Sequence, residues 1–254
     1  MRTFAVFAIA MCCAVVYYIA MATRANDDKF RTWSFEHGIH APSIDVGYFE
    51  GLRGVKASRD IKKGDTLVQL PLDACVYVEV PNTLTMEEQD VALAQELMYH
   101  DHPSSPFKGY IDFLPNDVRL IADWTDAEID RTGHARGREL RTQQASENAK
   151  HPPEAKRYLD LVRSRRFRFT LEKTTLLVML PWIDLINHDP HAKVHAFEYD
   201  INITDGIVTL KSTRDYAKGE EVVVSYGDAL VKDAVEHHLV RHGLFDARKN
   251  VHVS

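Results

Sequence analysis

The feature that most limits the fold of this chain is the distribution of its strand-like segments, which fall into two groups on either side of a long helix-favouring stretch. On the N-terminal side, from about Trp33 onward, the residues read as short strands alternating with turns. Residues 55–58, 66–71 and 74–80 carry β-branched side chains at strand spacing, and Lys63-Gly64-Asp65 is turn chemistry between two of them. These predict a small antiparallel unit. On the far side, residues 194–199, 207–211 and 222–226 return to strand character, and a closing helix is predicted over about 229–241, before Gly243.

The stretch between, about 84–163, is charged and rich in helix formers. Thr85-Met86-Glu87-Glu88 fits a capping box, in which the threonine hydroxyl and the second glutamate satisfy N–H groups that the first helical turn leaves open. Val91, Leu93, Ala94, Leu97 and Met98 then form an apolar stripe at helical spacing. Pro103, Pro106, Pro115, Pro152 and Pro153 interrupt the stretch, and its last helix is expected after Pro152-Pro153 with Tyr158, Leu159 and Val162 on one face. The order of segments implies an α+β fold, with small β-sheets split by a helical insertion.

One internal echo crosses the insertion. Ser58-Arg59-Asp60-Ile61-Lys62-Lys63-Gly64-Asp65 is matched by Thr213-Arg214-Asp215-Tyr216-Ala217-Lys218-Gly219-Glu220, each ahead of apolar strand residues. A Lys-Gly-acid turn feeding a β-branched run is common hairpin chemistry, so the match is read as shared turn chemistry before it is read as duplication.

Charge and cysteine usage exclude several classes. The formal net charge of −6 lacks the basic excess of a general nucleic-acid binder, so no specific nucleic-acid partner is expected. Cys12 and Cys13 lie in an apolar leader, which leaves Cys75 alone in the body, with no disulfide framework and no Cys-x-x-Cys zinc site. Cys75 is expected as a small core residue in a protein of a reducing compartment.

The leader, residues 1–25, has no charged side chain over 4–22. An apolar run of roughly 18 or more residues can span a bilayer, which points to membrane attachment through 4–22. Ala20-Met21-Ala22 also has the small-x-small pattern of a cleavage site, which points to a signal or organelle address. The first reading places a membrane-associated domain, residues 33–250, facing the cytosol; the second places it in an organelle such as a plastid.

Three short elements carry the chemistry: Gly51-Leu52-Arg53-Gly54, Asp184-Leu185-Ile186-Asn187-His188, and Glu220-Glu221-Val222-Val223-Val224-Ser225-Tyr226-Gly227. Taken singly each is ordinary. Two glycines three apart suit a turn, an Asn-His pair before Pro190 suits a loop whose asparagine caps its own backbone, and Tyr226 suits half-buried packing. The basic run Arg163, Arg165, Arg166 and Arg168 reads equally as a solvated face or as an anion site. His188, His191 and His195 offer a metal reading, but Pro190 breaks their helical face and no His-Glu-x-x-His motif completes a ligand set.

Taken together, the three elements resemble the SET-domain methyltransferases, in particular the branch typified by the Rubisco large-subunit lysine methyltransferase. The resemblance runs from about Gly51 to Phe245 and implies a fold of small β-sheets with a knot-like C-terminal crossing. It implies S-adenosyl-L-methionine as co-substrate, contacted by Gly51, Arg53, Gly54, Asn187 and His188. It also implies a substrate site drawing on Arg165, Asp184 and Phe197, with Arg165 a candidate for either the cofactor carboxylate or the substrate. Tyr226 is implied as the catalytic phenol, and the partner as a protein presenting a lysine. Methyl transfer from a sulfonium is an in-line displacement, so alignment by a phenol serves it. The attacking amine, with a free pKa of about 10.4, must first lose its proton.

The chain departs from the branch near its C-terminal edge. Where relatives carry an Asn and then Tyr-Gly-Phe, it reads approximately Val235 and His242-Gly243-Leu244. A histidine-directed methyltransferase and a catalytically silent interaction module of the same fold therefore stand beside the lysine reading.

Overall fold

The computed structural model describes residues 21–170, 172–188, 199–202 and 205–224. Helix α1 covers 21–36, buries Phe30 and Trp33, and stops at Gly38, whose φ of 70° is the left-handed conformation that ends helices. Strand character therefore starts after Trp33, not at it, because the aromatic residues of 30–33 serve one buried helical face.

Strands β1 (Ile44–Phe49) and β2 (Leu52–Ala57) form a hairpin closed by Glu50 and Gly51, with φ of 49° and 87°. Two positive φ values in a two-residue loop give the turn whose twist matches that of the strands. There follow β3 (Thr66–Pro71) and β4 (Val76–Pro81), then helices α2 (Met86–Tyr99), α3 (Lys108–Ile111), α4 (Asp126–Thr132), α5 (Gly137–Asn148) and α6 (Lys156–Arg165). The remaining elements are β5 (Phe167–Thr170), β6 (Thr174–Met179), β7 (Asn187–His188), β8 (Tyr199–Asn202), β9 (Ile207–Lys211) and β10 (Glu221–Val224).

The described strands form three sheets, ordered β1-β2-β10-β7, β3-β9-β8 and β4-β6-β5. This corrects the expectation of one small antiparallel unit: β2, β3 and β4 follow one another in the chain, yet each enters a different sheet. A Lys-Gly-Asp turn dictates that the chain reverses, not which strand lies alongside. Pairing is decided by burial, and β3 buries Leu67, Val68 and Leu70 against β9, with Leu70 opposite Val208 and Val68 opposite Leu210.

The sequence echo turns out to be a reciprocal clasp. Ile61 and Tyr216 exchange backbone hydrogen bonds of 2.9 and 3.0 Å. Asp215 accepts from the backbone N–H of Lys63, and Asp60 accepts from that of Lys218, both at 2.9 Å. Gly64 N–H donates to Ser212 O and Gly219 N–H to Ala57 O, with φ of 92° and 87° at the two glycines. The two turns thus bind each other about a local twofold, and that contact delivers β10 to the edge of β2.

In the insertion, α2 has the capping box expected at Thr85 and Glu88. A single main core runs from Phe30 and Trp33 through the sheets to Leu93, Leu97, Leu159 and Val162 of α2 and α6. Cys75 lies within it, and burial pushes its thiol up. Among the described residues no helix is long and apolar enough to cross a membrane; most of the leader and the predicted closing helix lie outside them.

Candidate functional site

Strand β10 lies between two partners remote from it in sequence. It pairs antiparallel with β2, Val222 opposite Val55, and parallel with β7, Val223 opposite Asn187 and Val224 opposite His188. Gly54 and the Asn187-His188 pair are therefore brought together by one short strand. The side-chain amide of Asn187 donates through Nδ2 to Glu221 Oε1 at 2.8 Å. A methyl group at Gly54 would stand 2.5 Å from that Nδ2 and 3.1 Å from Glu221 Oε1, so only glycine leaves the amide its place.

The segment leading into β7 is bent by Trp182, whose φ of 71° is rare for a non-glycine residue. Its buried indole N–H donates to Ser34 Oγ of α1 at 3.0 Å, which anchors the bend. A 3₁₀ turn, Ile183–Leu185, follows and aims Asp184 inward. The Asp184 side chain is fully buried; its Oδ2 accepts from the Tyr110 hydroxyl at 2.8 Å, while Oδ1 has no hydrogen-bond partner. Burial pushes this carboxyl up, against the lowering influence of Arg165.

Arg165, the last residue of α6, donates from Nη1 to the backbone O of Asp184 at 2.8 Å and lies 3.7 Å from its Oδ2. Arg53, beside Gly54 on β2, lays its guanidinium 4.0 Å over the ring of Phe113, which itself stacks on Phe30 at 4.1 Å. Burial, then the neighbouring Arg165 charge, holds Arg53 below its ordinary value. Two guanidiniums thus lie near the buried Asp184 carboxyl, and the Asp27 carboxylate also acts on Arg53.

Of the site residues expected from sequence, Arg53, Gly54, Arg165, Asp184, Asn187 and His188 occupy this one region. Gly51 stands apart, exposed at the hairpin tip with nothing near its α-carbon's open side, and its φ of 87° accounts for the glycine. Phe197 and Tyr226 lie outside the described residues, as do His191 and His195 of the metal reading. The basic run is no solvated face: Arg163 and Arg166 are buried against Glu87 and Asp90, and only Arg168 of the four is exposed. Sequence reading missed Tyr110 and Phe113. Their only signal is the aromatic density of Phe107, Tyr110 and Phe113 in a stretch otherwise broken by prolines.

The structure is similar to the SET domain of LSMT bound to lysine and AdoHcy, with a TM-score of 0.68 and 18% identity over 88% of this chain and 58% of that one. It is also similar to Rubisco LSMT bound to sinefungin and monomethyllysine, with a TM-score of 0.64 and 20% identity over 85% of this chain and 56% of that one. At such identities the likeness shows the fold, and the chain spans a little over half the length of these structures. None of the curated proteins matches the chain by sequence. The SET domain family profile matches residues 52–227, from the start of β2 to the residue after Tyr226, and so takes in the three chemistry-bearing elements except Gly51, along with the insertion. The match covers more than half of the chain, which belongs to the SET domain family.

Proposed function

We propose that this protein is an S-adenosylmethionine-dependent protein N-methyltransferase acting on a lysine side chain. The observation that carries the reading is the meeting of Gly54 and Asn187 across β10, with Arg53 and Arg165 close by. A polar amide seated over Gly54 and two nearby cations suit a ligand that combines a nucleoside with a zwitterionic amino acid. LSMT structures of the same fold hold AdoHcy and lysine, which supports the same pair of ligands here.

S-adenosylmethionine would supply the methyl group as a sulfonium. Around it, Asn187 and His188 would hold the cofactor from β7, Gly54 would leave the Asn187 amide the room to do so, and Arg53 and Arg165 would supply charge for its carboxylate. Asp184, closed off from solvent, acts on the site through Arg165 rather than by meeting an incoming ammonium. Tyr226, two residues beyond Val224 in the chain, would align the acceptor nitrogen, and Phe197 would line its channel; both roles rest on the family resemblance.

Calorimetric titration with S-adenosylmethionine tests the reading. Saturable binding is expected for the wild-type protein, and at least about tenfold weaker binding for Asn187→Ala, the loss expected when a ligand-facing polar group is removed. A folded protein that binds no cofactor would overturn it. Tyr226→Phe is expected to slow turnover by more than about tenfold with cofactor affinity nearly unchanged, the signature of an interaction made in the transition state. The altered edge at Val235 and His242-Gly243-Leu244 favours one second reading, a silent module of the same fold, for which binding without methyl transfer is the expected result.

A further inference from the structure

Resting on that cofactor reading, we infer that Tyr110 and Phe113, both contributed by the helical insertion, are positioning residues that set Arg165 and Arg53 to receive the carboxylate at the amino-acid end of S-adenosylmethionine. Neither residue lies in the short elements that carry the site in sequence. Each touches one of the two guanidiniums or its anchor.

Phe113 acts on Arg53. The guanidinium carbon stands 4.0 Å over the Phe113 ring, and among the described residues Arg53 forms no ion pair. A guanidinium held by its face keeps the N–H groups on its edge free for in-plane bonds, the geometry that a carboxylate matches. The platform is itself rigid, since Phe113 stacks on Phe30 with an interplanar angle of 4° and both rings are buried.

Tyr110 acts on Arg165 through Asp184. The tyrosine hydroxyl takes Asp184 Oδ2 at 2.8 Å, and Arg165 lies beyond hydrogen-bond reach of that oxygen at 3.7 Å. Arg165 is instead fixed by the backbone O of Asp184, and its Nε has no partner. Without the tyrosine hydroxyl, the buried carboxyl would draw the Arg165 side chain onto itself and away from the ligand. Arg53 held by a ring face and Arg165 held by a backbone carbonyl both suit a carboxylate, which the cofactor's amino-acid end supplies and its adenosine end does not.

The test compares two ligands of the full chain, S-adenosylhomocysteine and 5′-methylthioadenosine, which share the thioadenosine and differ in the amino-acid end. Phe113→Leu and Tyr110→Phe are each expected to weaken S-adenosylhomocysteine by about tenfold, as loss of one cation–π or hydrogen-bond support implies, and to leave 5′-methylthioadenosine binding unchanged. An equal loss for both ligands would reduce the two residues to packing and overturn the inference, as would unaltered S-adenosylhomocysteine binding. Should Phe113→Leu fail to fold, Tyr110→Phe, which removes a single oxygen, decides alone. Wild-type protein that binds neither ligand overturns the cofactor reading and this inference with it.

Discussion

At Gly54 the absence of one methyl group decides whether β2 and the Asn187 amide can share the same space. Gly54→Ala places a carbon 2.5 Å from Nδ2 of a half-buried side chain that is already tied to Glu221, so the amide must leave its bond or the strands must part. The substitution is expected to cost about 1–3 kcal/mol, the usual price of overpacking a tight site, and to abolish most cofactor affinity. Thermal unfolding together with calorimetry checks this, and an alanine variant with wild-type melting and binding would refute the close approach. Gly54, Asn187, Asp184 and Arg165 were named from sequence through the family resemblance of the short stretches that hold them, and the structure brings the four into one region. Tyr110 and Phe113 were not named, because the contact of Tyr110 with Asp184 spans 74 positions and depends on how the insertion folds back.

Among the elements, the paired turns at 58–65 and 213–220 determine where β10 starts. Each turn caps the other through an aspartate, so Asp60→Ala and Asp215→Ala are both expected to lower the urea midpoint. Asp215→Ala should lose more, because Asp215 also holds Lys62 Nζ at 2.8 Å. Unchanged midpoints in both would show the clasp to be incidental. Thr85→Ala removes the hydroxyl that accepts from Glu88 N–H at 3.3 Å at the start of α2, and is expected to cost about 1 kcal/mol by chemical denaturation. Strands β3 and β9 were readable residue by residue, since turn chemistry and β-branched content mark both, and β9 also alternates buried and half-buried side chains. Strands β5 and β6 were not read at all. In β6, Thr175 to Met179 are all buried, so the run shows no alternation, and a short continuous apolar run does not distinguish strand from helix.

Across the whole molecule, the sequence revealed two β-rich portions and a helical insertion but not the three-sheet topology, because alternation along a strand says which face is buried and nothing about its neighbour. The charges distributed over that topology make stability depend on pH in a definite direction. Glu128 of α4 receives two hydrogen bonds from the Arg119 guanidinium, at 3.0 and 3.1 Å, and one from Thr125 N–H at 2.7 Å. Foremost among these the Arg119 contact, then the Thr125 bonds, hold its carboxyl down at about 2 against an ordinary 4.5. The folded state therefore binds the proton less readily than the unfolded chain. The stabilisation is complete above about pH 4.5 and is lost as pH falls toward 2. The pair is exposed, so salt weakens it. Urea unfolding of wild type and Glu128→Gln at a series of pH values isolates this group, because every other titration is common to both proteins. The wild type is expected to be the more stable at pH 7 by a margin that shrinks below about pH 4.5 and in high salt. A margin that stays constant with pH would mean that Glu128 contributes through packing and capping geometry rather than through its charge.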